Sequence, residues 1–441
     1  MAKSTFESAG LSQVKPQDRK SWLSIAFIWS GFVCCVPALM VGAGITMGLS
    51  FGQAALSMCI GYAICVLLMS LMSCLSSDLG IPTVVAASGA FGKTGSSYMV
   101  SLVIAICNIS WFGFQAVVCG ESFAAILNTF GIPLPGVVST ILWGLIMCIT
   151  AVVGINLIKI LNVISVPALV LILVYAMIVV FQDPESSVKI ANYAPATQST
   201  LMASIGTAVG GFVAGSVLAG DVTRYCKSRR DVLLSSVIGV IPMGIVTMLA
   251  GSVLAIHCGV VGMDTQSIVT MLASIGSPIL GLLILVLATW TTNVTNAYSA
   301  GFGLLNLTRA KDNKQAVCTL TAGVLGTLLA VLGITNYFND FLNILAAFIP
   351  PVAGVVIMDY FVIHKARPSE WRSIEGINWN GPISCIAGGV VALAFPGVLV
   401  PTLNGIVVSC VLYLILYPVL SKKKAQAAAA PTVPAEETAE E

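Results

Sequence analysis

Five uncharged polar residues crowd into six positions of one apolar stretch: Thr291, Thr292, Asn293, Thr295 and Asn296, within A-T-W-T-T-N-V-T-N-A-Y-S-A-G, residues 288–301. Hydroxyls and amides of this kind are oxygen ligands for a hard cation and hydrogen-bonding groups for a flat polar solute. The same groups also bond helix to helix inside membranes, which is the competing reading. A second constellation, N-I-S-W-F-G-F-Q at 108–115, combines Asn108, Trp111 and Gln115. Gln115 lies four residues beyond Trp111, one turn along the same helical face. A ring and an amide so placed suit a planar heterocycle, stacked on one and bonded at its edge by the other. Phe212, among the glycines of G-G-F-V-A-G (210–215), is a candidate for the opposite side of that stack.

These residues must be held in a membrane. The 441-residue chain is 57% hydrophobic and 9% charged, with mean hydropathy +0.99, far from the composition of a soluble domain. A net charge of +2 gives no basis for a nucleic-acid partner. The thirteen cysteines are scattered through apolar segments without metal-ligand spacing, and the two histidines, His257 and His364, sit near segment ends. No nucleophile, base or metal constellation points to an enzyme, and no cofactor is expected.

Hydropathy divides the chain into twelve all-α transmembrane spans, near 22–49, 53–76, 97–127, 134–153, 157–182, 200–220, 232–256, 277–307, 316–334, 338–363, 381–396 and 401–420. Residues 1–20 form a polar leading segment with no cleavable signal, 21–420 the membrane domain, and 421–441 an Ala-, Pro- and Glu-rich tail expected to be disordered. With both ends in the cytoplasm, Lys189 alone of the twenty Lys and Arg residues falls on the outside. That asymmetry predicts cytoplasmic termini in a cytoplasmic membrane.

Spans one and six carry helix breakers: Gly31, Pro37, Gly42 and Gly44 in the first, Gly206, Gly210, Gly211, Gly215 and Gly220 in the sixth. Broken helices five spans apart are what a five-plus-five inverted repeat requires, and they point to a midplane transport site. Close packing through small residues is the alternative. Of the embedded charges, Glu121 is read as solvated or paired near the outer interface, and Asp221 and Arg224 as a pair near the inner end of span six.

The motifs W-F-G-F-Q (111–115), G-G-F-V-A-G (210–215), A-G-D-V-T-R-Y (219–225), W-T-T-N (290–293) and F-I-P-P-V-A-G-V-V-I-M-D-Y (348–360) resemble those of the nucleobase:cation symporter-1 family. The likeness is closest to cytosine permeases and extends to hydantoin and allantoin transporters. It implies the five-plus-five inverted fold with two further helices and alternating access. It also implies a base held between Trp111 and Phe212, with Gly211, Asn293 and Asn296 as further substrate contacts. For sodium it implies the hydroxyls of Thr291 and Thr292, the carbonyl of Ala288, and carbonyls near Cys34 to Pro37. The expected activity is sodium-coupled uptake of a nucleobase or similar heterocycle by a monomer surrounded by lipid, with proton coupling as the alternative. Cytosine permeases resemble G-S-F-x-S-A-G at span six and have Asn two residues before the span-eight Trp. Here Gly211, Ala214 and Ala288 stand at those places. The loss of three polar groups and the added room predict a purine or hydantoin-like ring in preference to cytosine.

Overall fold

The computed structural model describes residues 13–153, 155–260, 262, 265–274, 278–395 and 400–421. Pro396 and the tail from 422 to 441 lie outside the described residues. The α-helices in chain order are α1 (Trp22–Val33), α2 (Val36–Thr46), α3 (Phe51–Leu79), α4 (Thr83–Ala86), α5 (Ser88–Phe91), α6 (Lys93–Thr129), α7 (Gly136–Val153), α8 (Ile155–Gln182) and α9 (Pro184–Ala191). They continue with α10 (Leu201–Val217), α11 (Gly220–Thr223), α12 (Arg229–Cys258), α13 (Thr265–Ala273), α14 (Pro278–Thr308), α15 (Gln315–Val331), α16 (Phe338–Ile357), α17 (Asn380–Ala394) and α18 (Pro401–Leu416). Counting α1 with α2 and α10 with α11 as single crossings, and setting aside the short α4, α5, α9 and α13, these make the twelve spans. The chain is a multi-pass membrane protein.

The first crossing breaks where the sequence places Cys34-Cys35 and Pro37. α1 ends at Cys34, Cys35 is extended (φ −143°, ψ 159°), and α2 restarts with Pro37 in its first turn, where a missing N–H costs nothing. The axis turns by 57° there. The sixth crossing is also interrupted, near its end, beside Gly220, the last of its glycines, and not at Gly210-Gly211. α10 runs unbroken through Gly210-Gly211 and gives way to a turn at Leu218-Ala219. Those glycines serve close packing instead: a Cβ on Gly210 would lie 2.2 Å from the Leu342 carbonyl oxygen of α16. α9 leaves α8 at 92°, its N-terminus capped by Asp183.

The helices group by their place in each half. The first two crossings of each half (α1–α3 and α10–α12) pack together as a bundle, and the next two (α6, α7, α14, α15) as a scaffold in which α6 and α14 run along each other. That grouping, with α8 and α16 as fifth members and α17–α18 outside, is the five-plus-five arrangement. At the end of the molecule that carries Lys20, the leading segment is tied down by Val14 N–H to the Gly80 carbonyl (2.8 Å) and Lys20 N–H to the Tyr225 carbonyl (2.7 Å). Because the other basic loops gather there too, it is called the basic face below.

Candidate functional site

α6 and α14 are each accessible on two opposite faces. One carries apolar side chains such as Leu102 and Ile106 on α6, and Ile279 and Leu283 on α14, as a lipid-facing surface must. The other carries Ile104, Asn108 and Trp111 on α6, and Thr292, Thr295, Asn296 and Ser299 on α14, all partly exposed. On α10–α11 a third partly exposed stripe holds Gly211, Ala214 and Leu218, ending at the exposed Asp221. Polar residues on a face turned away from lipid line an interior cleft. The cleft lies between scaffold and bundle. α1 makes no extensive packing with α6 or α14, whereas α2 touches α14, so scaffold and bundle are closer on the side away from the basic face.

Trp111 stands at the head of this cleft. Phe114, Phe338 and Phe341 surround it at ring-centroid distances of 6.1, 5.8 and 5.3 Å, all steeply inclined to the indole. One turn on, Gln115 is 2% exposed and its Oε1 has no hydrogen-bond partner among the described residues. A buried amide oxygen left in this state costs free energy that a ligand donor would recover. Asn108 gives its amide N–H to the Ile104 carbonyl at 2.8 Å and stays accessible on the same face.

The ring of Phe212 is not directed at Trp111. It stacks on Tyr62 (5.7 Å, 3° between planes) and meets Trp29 edge-on at 6.3 Å. It is 5% exposed, so it belongs to bundle packing as much as to any pocket. Asn293 is likewise turned inward: its amide donates to the Phe112 carbonyl at 2.9 Å, bridging α14 to α6, and its Oδ1 accepts from Asn296 at 3.2 Å. Helix–helix bonding, the competing reading of the cluster, is what Asn293 does; Thr292, Thr295 and Asn296 take the cleft. Part of the room expected at Gly211 is taken: a Cβ there would sit 3.3 Å from a methyl of Val41.

Three of the oxygens assigned to a cation converge on α14. The hydroxyls of Thr291 and Thr292 each donate to the Ala288 carbonyl at 2.9 Å. A hydroxyl that donates keeps its lone pairs, so this patch offers two neutral hydroxyl oxygens without a carboxylate, and the Ala288 carbonyl joins them only if the hydroxyls turn away from it. Cys34 and Pro37 lie on either side of the α1–α2 break, buried, where only their main-chain carbonyls are suitable ligands. Among the described residues no cluster of three His, Cys, Asp or Glu forms a transition-metal site.

The sequence reading missed Phe338 and Phe341, which wall Trp111. Their spacing of three on an amphipathic helix was a visible signal, but in a membrane span it looks the same as packing. Tyr62, the partner of Phe212, gave no local signal at all.

Comparison with known proteins agrees with this architecture. The chain is 25% identical over 411 residues to the cytosine permease of Escherichia coli K12, covering 92% of this chain and 93% of that one. It is 25% identical over 395 residues to the hydantoin permease of Microbacterium maritypicum, covering 81% and 78%. Its fold is that of Mhp1, a nucleobase-cation-symport-1 family transporter: TM-score 0.77 at 21% identity against a closed conformation with bromovinylhydantoin bound, covering 94% and 96% of the two chains. Against the inward-facing conformation of Mhp1 the score is 0.81 at 20% identity, covering 98% and 100%. The family model described as permease for cytosine/purines, uracil, thiamine, allantoin matches residues 13–418, and the chain belongs to that family, the nucleobase:cation symporter-1 permeases.

Proposed function

We propose that this permease takes up an uncharged planar heterocycle, a nucleobase or a hydantoin-like ring, across the cytoplasmic membrane together with sodium. The basic face is then cytoplasmic, and the protein works as a monomer. The observation that carries the reading is Gln115: a buried amide oxygen without a partner among the described residues, one turn from the accessible Trp111 at the head of a polar cleft. A ring stacked on Trp111 would meet Gln115 at its edge, with Asn108 and Asn296 nearer the cleft mouth. The Thr291–Thr292–Ala288 patch holds the ion as a co-substrate. An ion bridging α14 to the α1–α2 break would draw scaffold and bundle together, and binding of ion and ring would then be mutually reinforcing. Rocking of the bundle on the scaffold would expose the site to each side in turn.

With Gly211, Ala214 and Ala288 offering no polar side chain, the site favours a purine or hydantoin-like ring over cytosine. Because Val41 takes part of the space at Gly211, that preference rests more on the missing hydrogen bonds than on added room. Uptake of radiolabelled cytosine, uracil, hypoxanthine, allantoin and hydantoin into cells, with and without sodium, tests the proposal. Saturable, sodium-stimulated uptake led by hypoxanthine, allantoin or hydantoin is expected. Cytosine as the tightest competitor, undiminished by Gln115→Ala, would overturn the substrate assignment.

A further inference from the structure

A second cavity, of about 560 Å³, lies at the end of the molecule away from the basic face, between the end of α2, the connector to α10, and the first turns of α10 and α16. It is separate from the Trp111 site. Phe338 lines the cavity and is also in edge contact with Trp111, so this ring is the partition between them. Among the described residues no ionisable side chain lines the cavity; its polar groups are hydroxyls and carboxamides. Asn339 and Asn343 lie one turn apart on one face of α16. Asn339, exposed in the cavity, accepts from the Thr207 hydroxyl of α10 at 3.3 Å on its Oδ1, and its amide makes no hydrogen bond to another described residue. Asn343 is half-buried in the wall and makes no hydrogen bond to another described residue.

The walls are fixed. Thr197 N–H and hydroxyl both donate to the Met47 carbonyl (3.2 and 2.8 Å), Ser199 N–H donates to the Gly48 carbonyl (3.0 Å), and the Tyr193 hydroxyl to the Thr46 carbonyl (3.0 Å). The cavity is thus a pinned, charge-free vestibule, open at its mouth where Thr197, Ser199, Asn336 and Asn339 are exposed, and presenting amide edges. A carboxamide places a donor beside an acceptor, and its complement is the adjacent N–H and C=O of a lactam or ureide. An ion has no counter-charge here to replace its hydration.

We propose that this vestibule is a second binding site, which holds a neutral lactam or ureide ring on Asn339 and Asn343 before it passes Phe338 to Trp111. The proposal rests on the substrate class inferred above, but its failure is separable from failure of that reading. Equilibrium binding of [14C]uracil and [14C]allantoin to the purified full-length protein provides the test, with Trp111→Ala and Asn339→Leu/Asn343→Leu compared with the wild type. The wild type is expected to bind two equivalents per chain, one tight and one weak. Trp111→Ala should remove the tight component and keep the weak one. The asparagine double variant should weaken the weak component at least about tenfold and keep the tight one, which also shows that it folds. Loss of all binding of both probes in Trp111→Ala, or an unchanged two-component isotherm in the asparagine variant, overturns the second site. Retention of the tight component in Trp111→Ala refutes the Trp111 assignment and leaves the vestibule site standing.

Discussion

A buried amide oxygen with no partner destabilises a fold by about 1–3 kcal/mol, so Gln115 is a residue that folding alone gives no reason to keep. Gln115→Leu should therefore leave the thermal midpoint of the purified protein unchanged or higher. The same substitution should weaken the preferred substrate by about 1–3 kcal/mol, because its edge loses a partner on burial. Asn293→Leu should behave in the opposite sense. It removes the amide bridge from α14 to the Phe112 carbonyl of α6 and the acceptor of the Asn296 amide, and so lowers the midpoint whether or not substrate is present. Scanning fluorimetry with and without ligand separates the two, and a stability loss in Gln115→Leu would remove that residue from the site. Trp111→Ala should cost about 1–3 kcal/mol of binding through lost stacking, with a stability cost besides from its contacts with Phe114, Phe338 and Phe341. Phe212→Ala is the less direct test, because a 5% exposed ring stacked on Tyr62 carries a core-truncation cost of about 3–5 kcal/mol besides any binding loss.

Helix α10 shows how far an element can be read from its residues. Its glycines mark a place where something comes close, and the sequence allows either an unwound backbone or a packed neighbour. The structure takes the second at Gly210 and places the interruption at Leu218-Ala219, directly before Gly220, the last of the glycines in that span. In span one the break was legible, because Pro37 removes an N–H and so fixes where a helix can restart. Trp111, Gln115 and the Thr291–Thr292 pair were legible as well, since an amide or a run of hydroxyls at depth needs a reason. The pairing of Phe212 with Tyr62 was not, because long-range contacts between apolar residues leave no trace in local spacing. Gly210 and Gly211 now predict different outcomes. A methyl at 210 collides with main chain of α16 at 2.2 Å, which cannot yield without parting the helices, whereas a methyl at 211 meets only the Val41 side chain at 3.3 Å. Gly210→Ala should lower stability by about 1–3 kcal/mol and abolish uptake, while Gly211→Ala should retain the fold and most uptake. Equal behaviour of the two in expression and transport would count against the α10–α16 contact.

At the scale of the whole molecule the question is which ion drives the carrier, and the distribution of carboxylates bears on it. A proton-driven carrier needs a titrating group that meets the moving cleft at the depth of the site; Asp221, at the far end of the α10–α11 stripe, accepts from the Thr83 N–H at 2.8 Å. Asp359 is buried but belongs to the packing of α18, accepting from the Tyr413 hydroxyl at 2.8 Å with His364 at 3.6 Å. Asp78 is held by Arg229 at 2.6 Å and by the Tyr360 hydroxyl at 2.7 Å. Away from the basic face, Asp183 is kept below the ordinary carboxylate range by the Glu185 N–H it caps, then by the Ser186 hydroxyl, Lys189 and His257. A depressed carboxylate contributes its stabilisation above its unfolded pKa and loses it as pH falls through the lower folded value, so Asp183 stays ionised throughout neutral pH. At the depth of Trp111 and Thr292, by contrast, the accessible groups are neutral amides and hydroxyls. Such groups ligate sodium and do not carry a proton. In proteoliposomes, an inward sodium gradient should therefore drive concentrative uptake that varies less than about twofold between pH 6 and 8 and survives a protonophore, an expectation that follows from donors with no pKa in that range. Thr292→Ala, which deletes one ion ligand and little volume, should raise the sodium concentration for half-maximal uptake about tenfold, as the loss of about 1.4 kcal/mol of ion binding requires. Its substrate affinity at saturating sodium should stay near the wild-type value. Uptake that ignores sodium and collapses with a protonophore would assign the drive to protons and leave the Ala288–Thr291–Thr292 patch as helix packing.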